Sequence, residues 1–133
     1  AFVAAHGVRM VSKEELLAEA DFVSLNTDLN PTSRHLMNEE RFALMKPTAV
    51  LVNASRGPVV DERALIRALQ SGKIAGAAMD VFAAEPLPAD SPLKGMDNVF
   101  LAPHNANSSP RAWENIHRST IEHLMEELER RGA

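Results

Sequence analysis

Short apolar runs alternate with stretches of helical spacing along this chain, the pattern that repeated strand–helix units leave in a sequence. Ser12 can cap a first helix, with Glu15 at the third helical position to complete a capping box and Val11 and Leu16 placed as a hydrophobic staple. Phe22-Val23-Ser24-Leu25 then reads as a buried strand. After a polar loop over residues 26–33, helical spacing from Asn38 to Met45 stops at Lys46-Pro47, because the residue before a proline is pushed out of helical backbone. Ala49 to Val52 is the next strand. Asp61 suits the cap of a helix whose Leu65, Ile66 and Leu69 form one stripe, and Gly72 stands where a left-handed terminating residue is wanted. Ile74 to Val81 reads as a third strand and Val99 to Ala102 as a fourth. Between them, Pro86, Pro88 and Pro92 make the segment from Ala84 to Asp97 a stiff loop. Pro110 suits the first turn of a long terminal helix. Its Trp113, Ile116, Thr120, Leu124 and Leu128 form an apolar face that needs a partner.

Composition narrows what such a chain can be. With 133 residues, 45% hydrophobic and 24% charged, it is expected to fold as a single domain over residues 1–133 with a real core. A net charge of −4 and ten scattered arginines offer no basic field for nucleic acid. The absence of cysteine rules out disulfides, thiolate metal sites and cysteine nucleophiles, and is compatible with a reducing compartment. The opening Ala1-Phe2-Val3-Ala4-Ala5 is apolar but lacks a basic flank and is too short for a signal core, and no apolar run of 18 residues occurs. A cytoplasmic protein without membrane or nucleic-acid partners, and without a metal site, is expected.

In open parallel α/β sheets, ligands bind beyond the carboxyl ends of the strands, where loops converge and helix amino termini point. That rule selects Asn53, Ser55 and Arg56 after the second strand, Asp80 at the end of the third, Glu85 in the loop beyond it, and His104 and Asn105 after the fourth. Each also has an ordinary reading. Arg56 can be a solvated loop arginine, Glu85 before Pro86 a turn residue, Asp80 a turn cap and His104 a surface histidine.

Taken together these segments resemble a known family. Leu51-Val52-Asn53-Ala54-Ser55-Arg56-Gly57-Pro58-Val59-Val60-Asp61-Glu62, then residues 72–82 (GKIAGAAMDVF), then Glu85-Pro86, then Asn98-Val99-Phe100-Leu101-Ala102-Pro103-His104 resemble, in order, successive motifs of the D-isomer-specific 2-hydroxy acid dehydrogenases. The resemblance implies a catalytic set in which Arg56 holds the carboxylate and carbonyl of a small 2-oxo acid. It implies that His104 exchanges a proton with the substrate oxygen and that Glu85 holds the imidazole. It further implies NAD or NADP as cofactor, lying along Asn26, Asn53, Ala54, Ser55, Asp80 and Asn105, with Asp80 at the nicotinamide end. The acidic residue that discriminates the two cofactors has no counterpart here. Two other readings stand beside this one: a non-catalytic, co-repressor-like interaction module built on the same body, and a different NAD-dependent Rossmann protein sharing only the strand–helix pattern.

The sequence also departs from the family pattern. After Leu25 it has Asn26, Thr27 and Asp28 where a histidine and a proline are common, and after His104 it has Asn105-Ala106-Asn107 where an aliphatic residue and glycine are common. Its six glycines, at positions 7, 57, 72, 76, 95 and 132, cannot form the Gly-x-Gly-x-x-Gly turn that holds pyrophosphate. The expected fold is therefore α/β: an incomplete Rossmann-like parallel sheet of four clear strands with flanking helices and a long C-terminal helix, lacking the first βαβ unit and the substrate domain. Val8–Val11 would be the family's third strand, stripped of its neighbours, and Phe22–Leu25 an exposed edge. A homo-oligomer, or a piece of a longer chain, is the expectation that follows, with little activity in the isolated chain.

Overall fold

The computed structural model describes residues 2–132; Ala1, part of the apolar opening noted above, lies outside them with Ala133. The elements are α1 (Phe2–Ala5), α2 (Lys13–Glu19), β1 (Phe22–Leu25), α3 (Glu39–Leu44), β2 (Val50–Asn53), α4 (Glu62–Gln70), β3 (Gly76–Met79), β4 (Val99–Leu101) and α5 (Pro110–Arg131), with 3₁₀ turns at Gly57–Val59 and Pro92–Gly95.

The four strands form one parallel sheet in the order β1-β2-β3-β4. Neighbouring parallel strands are joined by right-handed crossovers, and when chain order equals sheet order every crossover falls on the same face. That face carries the core. Val23 and Leu25 of β1, Leu51 of β2 and Ala77 and Met79 of β3 point into it and meet Leu17, Phe42, Leu65 and Leu69 from α2, α3 and α4. The opposite face is uncovered: Phe22 is 74% exposed and Phe100 71%, and Val50, Val52 and Ala78 are only partly buried. The exposed α5 has no buried residue, and its Trp113, Ile116, Leu124 and Leu128 face solvent.

Local signals account for the element boundaries. The Ser12 hydroxyl accepts the Glu15 N–H at 3.1 Å, so α2 starts where its cap requires. Only half of the expected capping box forms, because the Glu15 carboxylate is taken by Arg9 at 2.9 Å. Asn38 caps α3 and Asp61 caps α4, the latter accepting N–H groups from Arg63 and Ala64 at 3.1 and 3.2 Å. Gly72 adopts φ +68° just after α4, as its position demanded. The third strand is shorter than Ile74–Val81, spanning Gly76–Met79.

Another expectation fails outright. Val8–Val11 is not a strand: Met10 is 78% exposed, and the Val8 N–H closes a turn onto the Val3 carbonyl. A strand exists by pairing, and β1 pairs only with β2, so no neighbouring ladder is there to receive this segment.

The loop after β2 is held on two sides. Met37 and Val60 form a parallel bridge, which seats the Gly57–Val59 turn against the segment following β1. On the other side Gly57 packs against the backbone after β3 so closely that a Cβ would lie 1.8 Å from the Phe82 carbonyl oxygen. Gly57→Ala should therefore destabilise by at least the ~1–3 kcal/mol typical of overpacking, more than Asp61→Ala, which removes a cap for about 1 kcal/mol. Urea unfolding midpoints of the two variants check that order.

Candidate active site

Parallel pairing sets the last residues of all four strands in one line: Leu25 pairs with Asn53, Asn53 with Met79, and Met79 with Leu101. The next residues along the chain leave the sheet on the same edge. Asn26, Ala54 to Arg56, Asp80 to Glu85 and Ala102 to Asn105 are thereby collected from separate stretches of sequence.

Glu85 and His104 meet. The imidazole Nδ1 lies 2.7 Å from Glu85 Oε2, while Glu85 Oε1 accepts the Phe82 N–H at 2.9 Å. The bond from His104, and then that from Phe82, hold the Glu85 carboxyl below the usual carboxylate range. Glu85 is therefore ionised at neutral pH. Its contribution to folding is fully present above the ordinary carboxylate range and is lost as pH falls through the lowered value. An ionised carboxylate can only accept, so the proton between the two groups sits on Nδ1 and Nε2 is the free end of the ring.

The carboxyl group of Asp80 fixes the backbone beyond His104. Asp80 is 8% exposed, and its two oxygens accept the N–H groups of Asn105 at 2.8 Å and Ala106 at 2.9 Å. His104 itself adopts φ +56°, a conformation unusual for a residue with a side chain, and the two bonds that follow it hold that bend in place. The Asp80 N–H donates to the Asn53 carbonyl at 2.9 Å.

Asn53 is fully buried and shapes the next turn. Its Nδ2 donates to the Arg56 carbonyl at 3.1 Å, and its Oδ1 accepts from the Ser55 N–H at 3.1 Å and the Ser55 hydroxyl at 2.8 Å. Ala54 and Arg56 are thereby presented to solvent. The Arg56 guanidinium bonds the Ser55 carbonyl at 2.7 Å and makes no bond to Glu85 or His104. Asn26, at the far strand, donates to the Ser24 hydroxyl at 3.0 Å. The structure thus brings Glu85, His104, Asp80 and Asn105 together, and places Asn53, Ser55 and Arg56 on an adjoining turn and Asn26 at the edge.

A cavity of about 390 Å³ opens beside the pair, with Phe82, Pro86, Leu87, Leu101 and Lys94 around Glu85 and His104. A larger one, about 620 Å³, lies between α3 and α4 beside the Arg67–Glu39 ion pair and contains none of the strand-end residues. The smaller cavity has the chemistry: apolar walls, an imidazole with one free nitrogen and a carboxylate behind it. Two residues that the motif reading left without a role, Gly57 and Glu62, also reach this region. Gly57 packs on Phe82, and the Glu62 carboxylate accepts the Ala83 N–H at 3.1 Å. Glu62 next to a capping aspartate reads simply as a favourable charge at a helix amino terminus, so nothing local betrays its distant partner.

Residues 2–106 match the model of the D-isomer specific 2-hydroxyacid dehydrogenase, NAD binding domain. A glyoxylate reductase of Korarchaeum cryptofilum is 48% identical over 119 residues, covering 90% of this chain and 36% of that protein. A glyoxylate/hydroxypyruvate reductase B of Escherichia fergusonii is 46% identical over 121 residues, covering 91% and 37%. The crystal structure of a D-isomer specific 2-hydroxyacid dehydrogenase from Xanthobacter autotrophicus Py2 in complex with NADPH and MES superposes with a TM-score of 0.67 at 52% identity, over 68% of this chain and 29% of that one. The chain therefore spans little more than a third of the curated relatives it matches. With its parallel sheet, its strand-end polar residues and a match over most of its length, the chain belongs to the D-isomer specific 2-hydroxyacid dehydrogenase family, in the NAD-binding domain of that family.

Proposed function

We propose that this chain supplies the proton-transfer side of an NAD(P)-dependent reductase acting on small 2-oxo acids of the glyoxylate and hydroxypyruvate type. The observation that carries the reading is the 2.7 Å contact between His104 Nδ1 and ionised Glu85 at the mouth of an apolar cavity. Glyoxylate and hydroxypyruvate are the compounds named in its relatives.

The residues present suit the nicotinamide end of a dinucleotide. They offer a small apolar recess and a cation, with backbone groups at the strand ends, while the sequence contains no glycine-rich turn to cradle pyrophosphate. When bound, the nicotinamide supplies the hydride. Protonated His104 gives the Nε2 proton to the carbonyl oxygen as negative charge develops there, and the neutral ring left behind keeps its Nδ1 proton, donated in a hydrogen bond to Glu85. Arg56, exposed on its turn, is free to leave the Ser55 carbonyl and grip the substrate carboxylate with both arms of its guanidinium. Asp80 holds the His104 bend through Asn105 and Ala106. Asn26, Asn53, Ala54, Ser55, Asp80 and Asn105 would border the cofactor in this reading.

The uncovered sheet face and the apolar stripe of α5 support a second part of the proposal, that further polypeptide covers them, from a homo-oligomer or from the remainder of a longer chain. Among the described residues no helix is long and apolar enough to cross a membrane, and a cytoplasmic location completes the reading.

In the complete gene product, His104→Gln should lower kcat for glyoxylate reduction about 10²- to 10⁴-fold, the usual worth of general acid catalysis; a variant within a few-fold of the parent would sink the assignment. Glu85→Gln removes the carboxylate that accepts the Nδ1 proton. The pH range of reduction should then narrow, and an unchanged profile would count against Glu85. The 133-residue chain alone should bind NAD(H) weakly, which isothermal calorimetry checks, and sedimentation should find it associated; a monodisperse monomer overturns the self-association part.

A further inference from the structure

We propose that Glu62 is a positioning residue for the Glu85–His104 pair, acting through the backbone of Ala83; the kinetic part of this rests on the reductase reading above. The turn from Phe82 to Glu85 belongs to no strand or helix, so ladder bonds do not fix it. Three contacts do. Gly57 lies against the Phe82 carbonyl, Glu85 Oε1 accepts the Phe82 N–H at 2.9 Å, and Glu62 Oε2 accepts the Ala83 N–H at 3.1 Å.

Two successive N–H groups are thus drawn by two different carboxylates, one belonging to the pair and one to α4. The Glu85 carboxylate cannot hold itself: its Oε1 is anchored only to the turn from which its own side chain springs. Glu62 provides the outside reference. It is the first residue of α4, a helix fixed by the Asp61 cap and by Leu65 and Leu69 in the core. Phe82 is anchored by its buried side chain, but Ala83 is exposed, so without Glu62 its N–H has water as the alternative partner and the turn beyond Phe82 loses its tie to α4. Glu85 Oε2 would then lose its fixed approach to His104 Nδ1. Proton-transfer geometry is sensitive at this scale, since a shift of about 1 Å can cost about 10²-fold in rate.

The experiment uses the complete gene product with Glu62→Ala, Glu62→Asp and Glu62→Gln. Alanine removes the acceptor, and aspartate keeps the charge but is one methylene short of Ala83. Glutamine keeps an oxygen that accepts the N–H. Alanine and aspartate are expected to lower kcat about tenfold with KM little changed, and to narrow the pH profile as Glu85→Gln does. Combined with Glu85→Gln they should add nothing further, because coupled residues are not additive. Glutamine should restore the parent behaviour. A second readout needs no turnover: nitrogen-15 spectra of labelled histidine should place the neutral-ring proton of His104 on Nδ1 in the parent, and admit the Nε2-protonated form in the alanine and aspartate variants.

An unchanged tautomer signal and pH profile, with only a lower melting temperature, overturns the proposal, and so does full additivity with Glu85→Gln. If the tautomer responds while no form reduces a 2-oxo acid, the positioning role stands and the reductase reading falls. An active parent with an unresponsive tautomer gives the reverse.

Discussion

Four parallel strands laid down in chain order impose the constraint on which everything else here depends. Right-handed crossovers then send α3, α4 and the Pro92–Gly95 turn to one face, and the in-register ladder sets Leu25, Asn53, Met79 and Leu101 side by side. The ladder is built from backbone bonds and is indifferent to the side chains beyond it. For that reason the residues just past the strand ends are free to be polar, strained and chemically useful, while those within the strands must pack.

The same constraint explains the half-clad shape. One face of the sheet meets helices and buries Leu51 and Met79 completely, while Phe22 and Phe100 on the other remain largely exposed. An apolar sheet face of this kind is stable only in part, because the burial that offsets chain entropy is available on one side alone. The amphipathic α5 carries the complementary deficiency, with an apolar stripe and no residue buried. The site's internal bonds, made among the loops beyond the strand ends, form without either surface being covered.

Within the site, rigidity comes from carboxylates and amides turned on the backbone. Asn53 closes the Arg56 turn, Asp80 closes the bend after His104, and Glu85 and Glu62 hold adjacent N–H groups of the turn after β3. Charged acceptors make stronger hydrogen bonds than neutral ones and fix geometry in loops that no ladder reaches. The arginine is the exception. Its guanidinium rests on the neighbouring Ser55 carbonyl and on no carboxylate, which leaves it available for the anion-binding role proposed above.

Much of this was readable in the sequence. Caps at Ser12 and Asp61, the terminating Gly72 and Pro110 at the start of α5 are local signals, set by the bonding needs of helix ends, and all appear where expected. The alternation of runs prescribed a parallel α/β sheet, and the ordered motifs singled out Arg56, Glu85 and His104. Tertiary structure alone decided what depends on distant partners. Val8–Val11 has strand character but no ladder to join. Glu15 satisfies Arg9 in place of completing its box, and Asp80 spends both oxygens on a loop 25 and 26 residues away. Gly57 and Glu62 act on Phe82 and Ala83 only because α4 and the β3 loop pack together. A sequence carries the propensities of each residue with its near neighbours; which carboxylate meets which N–H is settled by packing, since such a bond has little strength until the chain has brought its two ends together.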